Sequence, residues 1–282
     1  MGEDSTTSIE DAAIAISNAD AVLITAGAGM GVDSGLPDFR GDTGFWKAYP
    51  PFERLGISFV DMANPGWFKR DPELAWGFYG HRFNLYRETK PHRGFEILLR
   101  WAENLAHGAF VFTSNVDGHF QRAGFDRERI IECHGSINHF QCSEPCSSQI
   151  WRADEVDIEV DENSFRAVPP LPECPRCGAI ARPNVLMFGD WHWNPGRTGD
   201  QERRFSDWLS MAAGPNLVIA EFGAGTALPT VRMTSEQVAS RSGAALVRIN
   251  PREPRVPHGH IGLRLNAIEA LEEIDVRLSA EN

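Results

Sequence analysis

Residues 21–40 read AVLITAGAGMGVDSGLPDFR, an apolar run that passes directly into a glycine-rich turn and then into a charged, proline-marked loop. A short, unbroken apolar run bounded by a turn predicts a buried strand of a parallel sheet. Gly27, Ala28 and Gly29 put small residues where backbone must approach a phosphate. A helix expected after the turn would aim its free N–H groups and positive dipole at that anion. The match to G-x-G-x-x-G is imperfect, because Gly35 falls one step late. A helix packing tightly on a strand also explains a G-x-G turn, so the glycines need support from elsewhere in the chain.

That support comes from alternation. Apolar runs at 109–113, 216–222 and 244–249 read as further buried strands, and helical patterns lie between and after them at 91–106, 202–211, 230–241 and 265–278. A short amphipathic helix at 9–17, with capping residues available at 4–8, precedes the first strand. Strands alternating with helices predict an α/β fold with a Rossmann-like, doubly wound parallel sheet, whose ligand sits at the carboxyl ends of the strands. Small and polar residues fall at those ends: Ser114, Asn115, Val116 and Asp117 after the second strand, Gly223, Gly225 and Thr226 after the third, Asn250 after the fourth. Turns favour such residues anyway. Their convergence from four strand ends is what predicts one dinucleotide cleft.

Two stretches interrupt the alternation. Residues 45–90, rich in aromatics, are expected to form a helical cover, and the polar stretch 137–182 carries four of the five cysteines. The organisation expected is a first Rossmann-like part at 1–136, an inserted zinc module at 137–182 and a second Rossmann-like part at 183–282. Cys142 and Cys146, then 27 intervening residues, then Cys174 and Cys177 supply two ligand pairs. That pattern suits one tetrahedral Zn2+ held by four thiolates, leaving no position for water and therefore giving a structural metal. Reduced free cysteines or two disulfides remain the alternatives. Pro145, Pro175 and Gly178 favour the tight turns that aim sulfurs at one point.

With 282 residues, 42% hydrophobic and 23% charged, the chain can bury a substantial core. A net charge of −12 argues against a sequence-independent grip on nucleic acid or an anionic membrane, and favours attraction of a basic substrate tail. The first residues, MGEDSTTSIEDAA, lack the basic start and apolar centre of a secretory signal, and no apolar run reaches membrane-spanning length, so a cytoplasmic protein is expected.

GAGMGVDSGLPDFRG at 27–41, Thr113-Ser114-Asn115-Val116-Asp117 and Cys133-His134-Gly135-Ser136 resemble, in order, the three opening motifs of the sirtuins, the NAD-dependent protein lysine deacylases. The resemblance continues through the four cysteines, Arg182-Pro183-Asn184, Phe188-Gly189-Asp190, Gly225-Thr226-Ala227 and Ile249-Asn250, and so covers nearly the whole chain. It implies NAD as co-substrate, an acylated-lysine protein as partner, and nicotinamide and O-acyl-ADP-ribose as products. It assigns the catalytic base to His134, a residue type whose ordinary pKa of about 6.5 suits proton acceptance near neutrality. Asn115 and Asp117 would hold the reacting ribose, an ordered water and the nicotinamide amide. Asp38, Phe39 and Arg40 would close over the site, and Phe188 and Gly189 would hold the peptide. His119 and His139 stand as other bases should the motif alignment fail.

Departures from the family pattern are few. Gly31 and Ala227 stand where the family commonly has Ser, Ser114 where it has Gln, each change trimming about 1 kcal/mol of hydrogen bonding to NAD. Asp190-Trp191-His192-Trp193 replaces a Glu-led stretch that helps hold the peptide, which keeps protein ADP-ribosyl transfer or NAD hydrolysis as the second reading. Tyr79-x-x-Arg82 resembles the pair with which members acting on succinyl- and malonyl-lysine bind the acyl carboxylate. The bland reading of the same pair is two helix neighbours one turn apart.

Overall fold

Strands buried on both faces read as unbroken apolar runs, and those runs build the centre of this molecule. A computed structural model describes residues 2–37, 41–54, 56–144, 146–161 and 163–280. Helix α1 (Gly2–Ser17) leads to β1 (Ala21–Ala26) and the single turn α2 (Gly29–Val32). The cover follows as α3 (Gly41–Ala48), α4 (Pro50–Arg54), α5 (Phe59–Met62), α6 (Trp67–Arg70) and α7 (Pro72–Glu88). Next come α8 (Gly94–Glu103), β2 (Ala109–Thr113), α9 (His119–Arg122) and β3 (Ile130–Glu132). The inserted module holds β4 (Gly135–Cys142), β5 (Ile150–Arg152), β6 (Val160–Asp161), β7 (Arg166–Ala167) and β8 (Ala181–Val185). The chain returns through α10 (Gly196–Ala212), β9 (Leu217–Phe222), α11 (Thr230–Ser242), β10 (Ala245–Ile249), β11 (Ile261–Leu263) and α12 (Ala267–Ala280).

Six parallel strands form the main sheet in the order β11-β10-β9-β1-β2-β3. From β1 the chain winds outward to β2 and β3, then crosses back to β9 and winds the other way, so the order reverses between β1 and β9. That reversal is the topological switch point at which such sheets open a ligand crevice. Every residue of β1 and of β9 is buried. Helices α1, α8 and α12 bury Ile16, Leu98 and Leu271 against one face. Helices α10 and α11 bury Trp208 and Val238 against the other.

The cover and the module share a third core, in which Phe45, Phe52, Phe78 and Phe83 meet Ile137, Phe140 and Ala181. Helix α7 is its spine. Asp71 caps it by accepting from Leu74 N at 3.2 Å, and Pro72 occupies the first turn, where its missing N–H costs nothing. The module is a three-stranded antiparallel sheet, β5-β4-β8, with the hairpin β6-β7 beside it.

Three expectations need correction. The first helix begins at Gly2, so residues 4–8 lie inside it and do not cap it. The helix after the glycine turn is one turn long: Gly35, at φ +91°, takes a backbone conformation that ends it, which is why that glycine falls out of step with the phosphate pattern. Helix α10 begins at Gly196, six residues earlier than the pattern at 202–211 suggested. Strands β3 and β11, three residues each, were too short to read. Among the described residues no helix is long and apolar enough to cross a membrane.

Candidate active site and metal centre

The strand ends are tied into one edge by backbone hydrogen bonds. At the switch point Gly27 N donates to Phe222 O at 2.9 Å and Gly29 N to Gly223 O at 3.1 Å. A Cβ on Gly27 would stand 2.8 Å from Ala224 Cα, and one on Gly223 would stand 2.4 Å from Gly29 Cα. Gly223 also sits at φ +57°. Glycine is required at both positions because two loops cross there with no room for a side chain. Gly223→Ala is expected to cost several kcal/mol, combining about 1–3 kcal/mol of backbone strain with displacement of the Gly29 turn. Calorimetry with ADP-ribose should show lost binding together with a lowered Tm, and an unchanged affinity would mean the loop yields.

From β2, Thr113 Oγ1 donates to Ala26 O at 3.0 Å and accepts from Asn115 N at 3.0 Å. The Asn115 amide then donates to Gly27 O at 3.0 Å, which fixes it against the glycine turn. Cys133 N reaches Thr113 O, and Leu186 N reaches His134 O at 2.9 Å, so β3 and β8 deliver His134 to the same edge. Its imidazole is half-buried, and desolvation, which disfavours the cation, lowers its pKa below the usual histidine value. Asp117 is buried, accepts from His119 N at 2.8 Å, and has its carbonyl held by Asn138 Nδ2 at 3.2 Å.

Not every expected contact residue lies open in this cleft. Ala28 is exposed, Gly29 and Ser114 are half-buried, and a Cβ on Gly225 would meet nothing, so those positions border free space. Val116 packs its side chain into the core of the cover. Asn250 is fully buried and works on loops: Nδ2 donates to Ala224 O at 2.9 Å, and Oδ1 accepts from Arg252 N and Glu253 N. Thr226 Oγ1 donates to Glu253 at 2.6 Å. Asp38, Phe39 and Arg40 lie outside the described residues. Of the other histidines, His119 is buried in the core, while His139 lies on β4, away from the glycine turn.

Phe188 and Gly189 line a cavity of about 480 Å³ beside the cover. Phe188 N donates to Ala63 O at 2.9 Å, and the Phe188 and Phe59 rings meet edge to face at 6.2 Å. Asp190, from the stretch that departs from the family pattern, is buried in an ion pair with Arg182 at 2.7 Å. It supports the Phe188 loop from beneath, and Trp191, 92% exposed, is left facing solvent.

Tyr79 and Arg82 are both buried in the cover. Arg82 Nε and Nη2 donate to the Tyr86 hydroxyl at 3.0 and 2.8 Å. Its guanidinium lies 5.2–5.8 Å from the ring centroids of Phe78, Tyr79 and Tyr86. The chain has three tyrosines, and Tyr49, Tyr79 and Tyr86 all interact electrostatically with Arg82. Burial pushes the Tyr79 hydroxyl up to about 12, against the pull of Arg82 and Arg182. The charge of Asp190 acts on Tyr79 and that of Asp117 on Tyr86. Tyr86 was missed in the sequence, although its position one turn beyond Arg82 on the same helix was the signal available.

All four module cysteines converge, their sulfurs lying within 4.8 Å of one another. Cys142 and Cys177 are 3.6 Å apart, as are Cys146 and Cys174. A disulfide needs about 2.05 Å, whereas sulfurs on a tetrahedral zinc at about 2.3 Å stand about 3.8 Å apart. The cluster therefore fits one Zn2+ and excludes two disulfides. Against desolvation, N–H groups of Arg176 and Cys177 bring the Cys174 thiol down to about 7, whereas burial pushes Cys142 up to about 12. With four sulfurs on one ion the site is closed, and its role is to hold the module's loops together.

Comparison with known proteins agrees with this architecture. The Sir2 family profile matches residues 27–197. The chain is 32% identical to the NAD-dependent protein deacylase of Aeropyrum pernix over 94% of its own length and 95% of that protein's. It is likewise 32% identical to the Thermus thermophilus protein of the same name, over 93% of this chain and 92% of the relative. Among solved structures, a Sir2 homologue with ADP-ribose superposes with a TM-score of 0.72 at 26% identity, covering 96% and 97% of the two chains. A Sir2 homologue–NAD complex gives 0.70 at the same identity, covering 96% and 94%. The chain belongs to the Sir2 family.

Proposed function

We propose that this chain is an NAD-dependent protein-lysine deacylase, and that its preferred acyl groups carry a carboxylate, as succinyl and malonyl do. The observation that carries the first part is the placement of the Gly27 turn, Asn115 and His134 along one carboxyl edge of the parallel sheet, with Asn115 tied to Gly27 at its switch-point end. NAD, when bound, supplies the activated ribose carbon and the acceptor oxygen. The glycine turn at 27–29 and the loop at 223–226 hold the dinucleotide, and Asn250 positions the second of these loops. Asn115 and Asp117, rigidly placed, orient the reacting ribose and the nicotinamide amide. His134 takes a proton from the ribose hydroxyls, and its desolvated imidazole stays neutral for that task. Phe188 and Gly189 receive the peptide, whose basic flanks suit a chain of net charge −12. The four-cysteine module needs reduced thiols, which supports a cytoplasmic setting, to be checked by fractionation of the source cells.

The acyl preference rests on Arg82. Arg82 lies among aromatic rings in the cover and donates to the Tyr86 hydroxyl, and an acyl carboxylate reaching its guanidinium gains a charge-assisted contact that an acetyl group cannot make. Arg82→Met should lower kcat/KM on succinyl-lysine by about ten- to a hundredfold, a contact worth about 1.5–3 kcal/mol, and leave acetyl-lysine turnover nearly unchanged. Equal losses on both acyl groups would make Arg82 a structural residue. Mass spectrometry of products from NAD with acetyl-, succinyl-, malonyl- and unmodified lysine peptides tests the whole reading. Free lysine and O-acyl-ADP-ribose support it, while ADP-ribosylated peptide, or free ADP-ribose alone, would overturn it.

A further inference from the structure

Outside the nucleotide cleft, a cavity of about 430 Å³ opens beside the edge strand β3, between α9, α10 and the module strands β4 and β5. Six arginines line it: Arg87, Arg122, Arg127, Arg152, Arg197 and Arg204. Three carboxylates oppose them, Glu128, Asp154 and Asp200, so the wall carries a formal +3 on a chain of −12. The pairing is uneven. Arg152 is held by Asp154, Arg204 by Glu128, and Arg197 by the buried carboxylate of Glu132. Arg87 spends its guanidinium on the carbonyls of Ala153 and Val156, and Arg122 on those of Tyr86 and Thr89, so neither charge is neutralised there. Arg127 is exposed, with no hydrogen bond or ion pair among the described residues.

Two further atoms of the wall residues point the same way. Arg197 Nη1 and His139 Nδ1 are buried without a hydrogen-bond partner, and both can donate. Such orphaned groups are costly unless something accepts from them. Burial pushes His139 down to about 3, and the charges of Arg197 and Arg152 act in the same direction, against Asp154. Apart from Gly118, every lining residue carries a polar or charged side chain. No aliphatic, Phe, Tyr or Trp side chain lines it, so it offers no surface for an apolar tail.

We propose that this cavity binds a small, non-aromatic anion bearing several phosphate groups. Its volume exceeds a single phosphate, and its uncompensated guanidiniums match several oxyanions at once. Gly118 and Asn138 form part of the wall, and Asn138 Nδ2 holds the Asp117 carbonyl, so an occupant bears on the catalytic segment through one hydrogen bond. The proposal is independent of the deacylase reading, because the guanidiniums that line the wall lie outside the strand-end loops, of which only Gly118 contributes to it.

Tripolyphosphate is a suitable probe, titrated calorimetrically into the full chain saturated with ADP-ribose at about 0.15 M salt, where exposed charges are already screened. The expected result is one site of sub-millimolar affinity that weakens further as salt rises. Arg127→Glu should reduce that affinity by about tenfold or more, with ADP-ribose binding unchanged as the check on folding. Arg204→Gln, on a different element, should also weaken it. Absence of binding, equal binding by both variants, or displacement of the probe by ADP-ribose would overturn the proposal. Citrate binding as tightly as tripolyphosphate would overturn the assignment to phosphate.

Discussion

His134→Ala is expected to lower deacylase turnover by about 10²–10⁴-fold, the span that a positioned general base contributes, while affinity for NAD and ADP-ribose changes by less than about twofold. The separation follows from the geometry. The glycine turn at 27–29 and the loop at 223–226, which we propose hold the dinucleotide, meet at the switch point, whereas His134 arrives from the other end of the edge, on the chain between β3 and β4. Its carbonyl is engaged by Leu186, so removing the imidazole leaves the backbone tie intact. The pH profile of kcat/KM gives a second readout. A base whose pKa is lowered stays neutral further into acid, so the acidic limb should fall below the ordinary histidine value of about 6.5 and vanish in the variant. Near-normal turnover in His134→Ala would remove the residue from the mechanism.

Elemental analysis of the purified chain should return one zinc, and Cys174→Ser should lose it with a large fall in Tm. Four-thiolate zinc in small modules contributes about 10–16 kcal/mol coupled to folding, more than the 5–15 kcal/mol by which domains are typically stable, so even a partial loss is decisive locally. Strands β5, β6 and β7 are two or three residues long, and the cysteines gather the connections that flank them, from β4 to β5 and from β7 to β8. Beyond those sulfurs the module's anchor is the core it shares with the cover. Activity should fall secondarily, because β4 and β8 support His134 and the Phe188 loop. A wild-type chain free of zinc, or a Cys174→Ser chain of unchanged Tm, would sink the assignment.

Much of the fold was legible because its central strands are buried on both faces and so leave unbroken apolar runs, as at 21–26 and 217–222. Strands β3 and β11 escaped for the opposite reason, being edge strands of three residues with too little length for a pattern. The four cysteines were readable because zinc imposes spacing on sequence. The arginine-lined cavity was not, since its six guanidiniums come from five separate stretches between Arg87 and Arg204 that only the packing of α10 against β3, beside the module, assembles.

Order along the chain by itself determined the class of sheet, the residues at its strand ends, the metal's ligands and the family resemblance, because each depends on local spacing or on a contiguous motif. Tertiary structure alone decided how those residues are used. It turned Asn250 inward to hold two loops, spent Asp190 on Arg182, and gathered all three tyrosines around Arg82. The physical reason is that a buried polar group must find its partner wherever packing brings one, and that partner is set by the approach of distant segments, which no local pattern encodes.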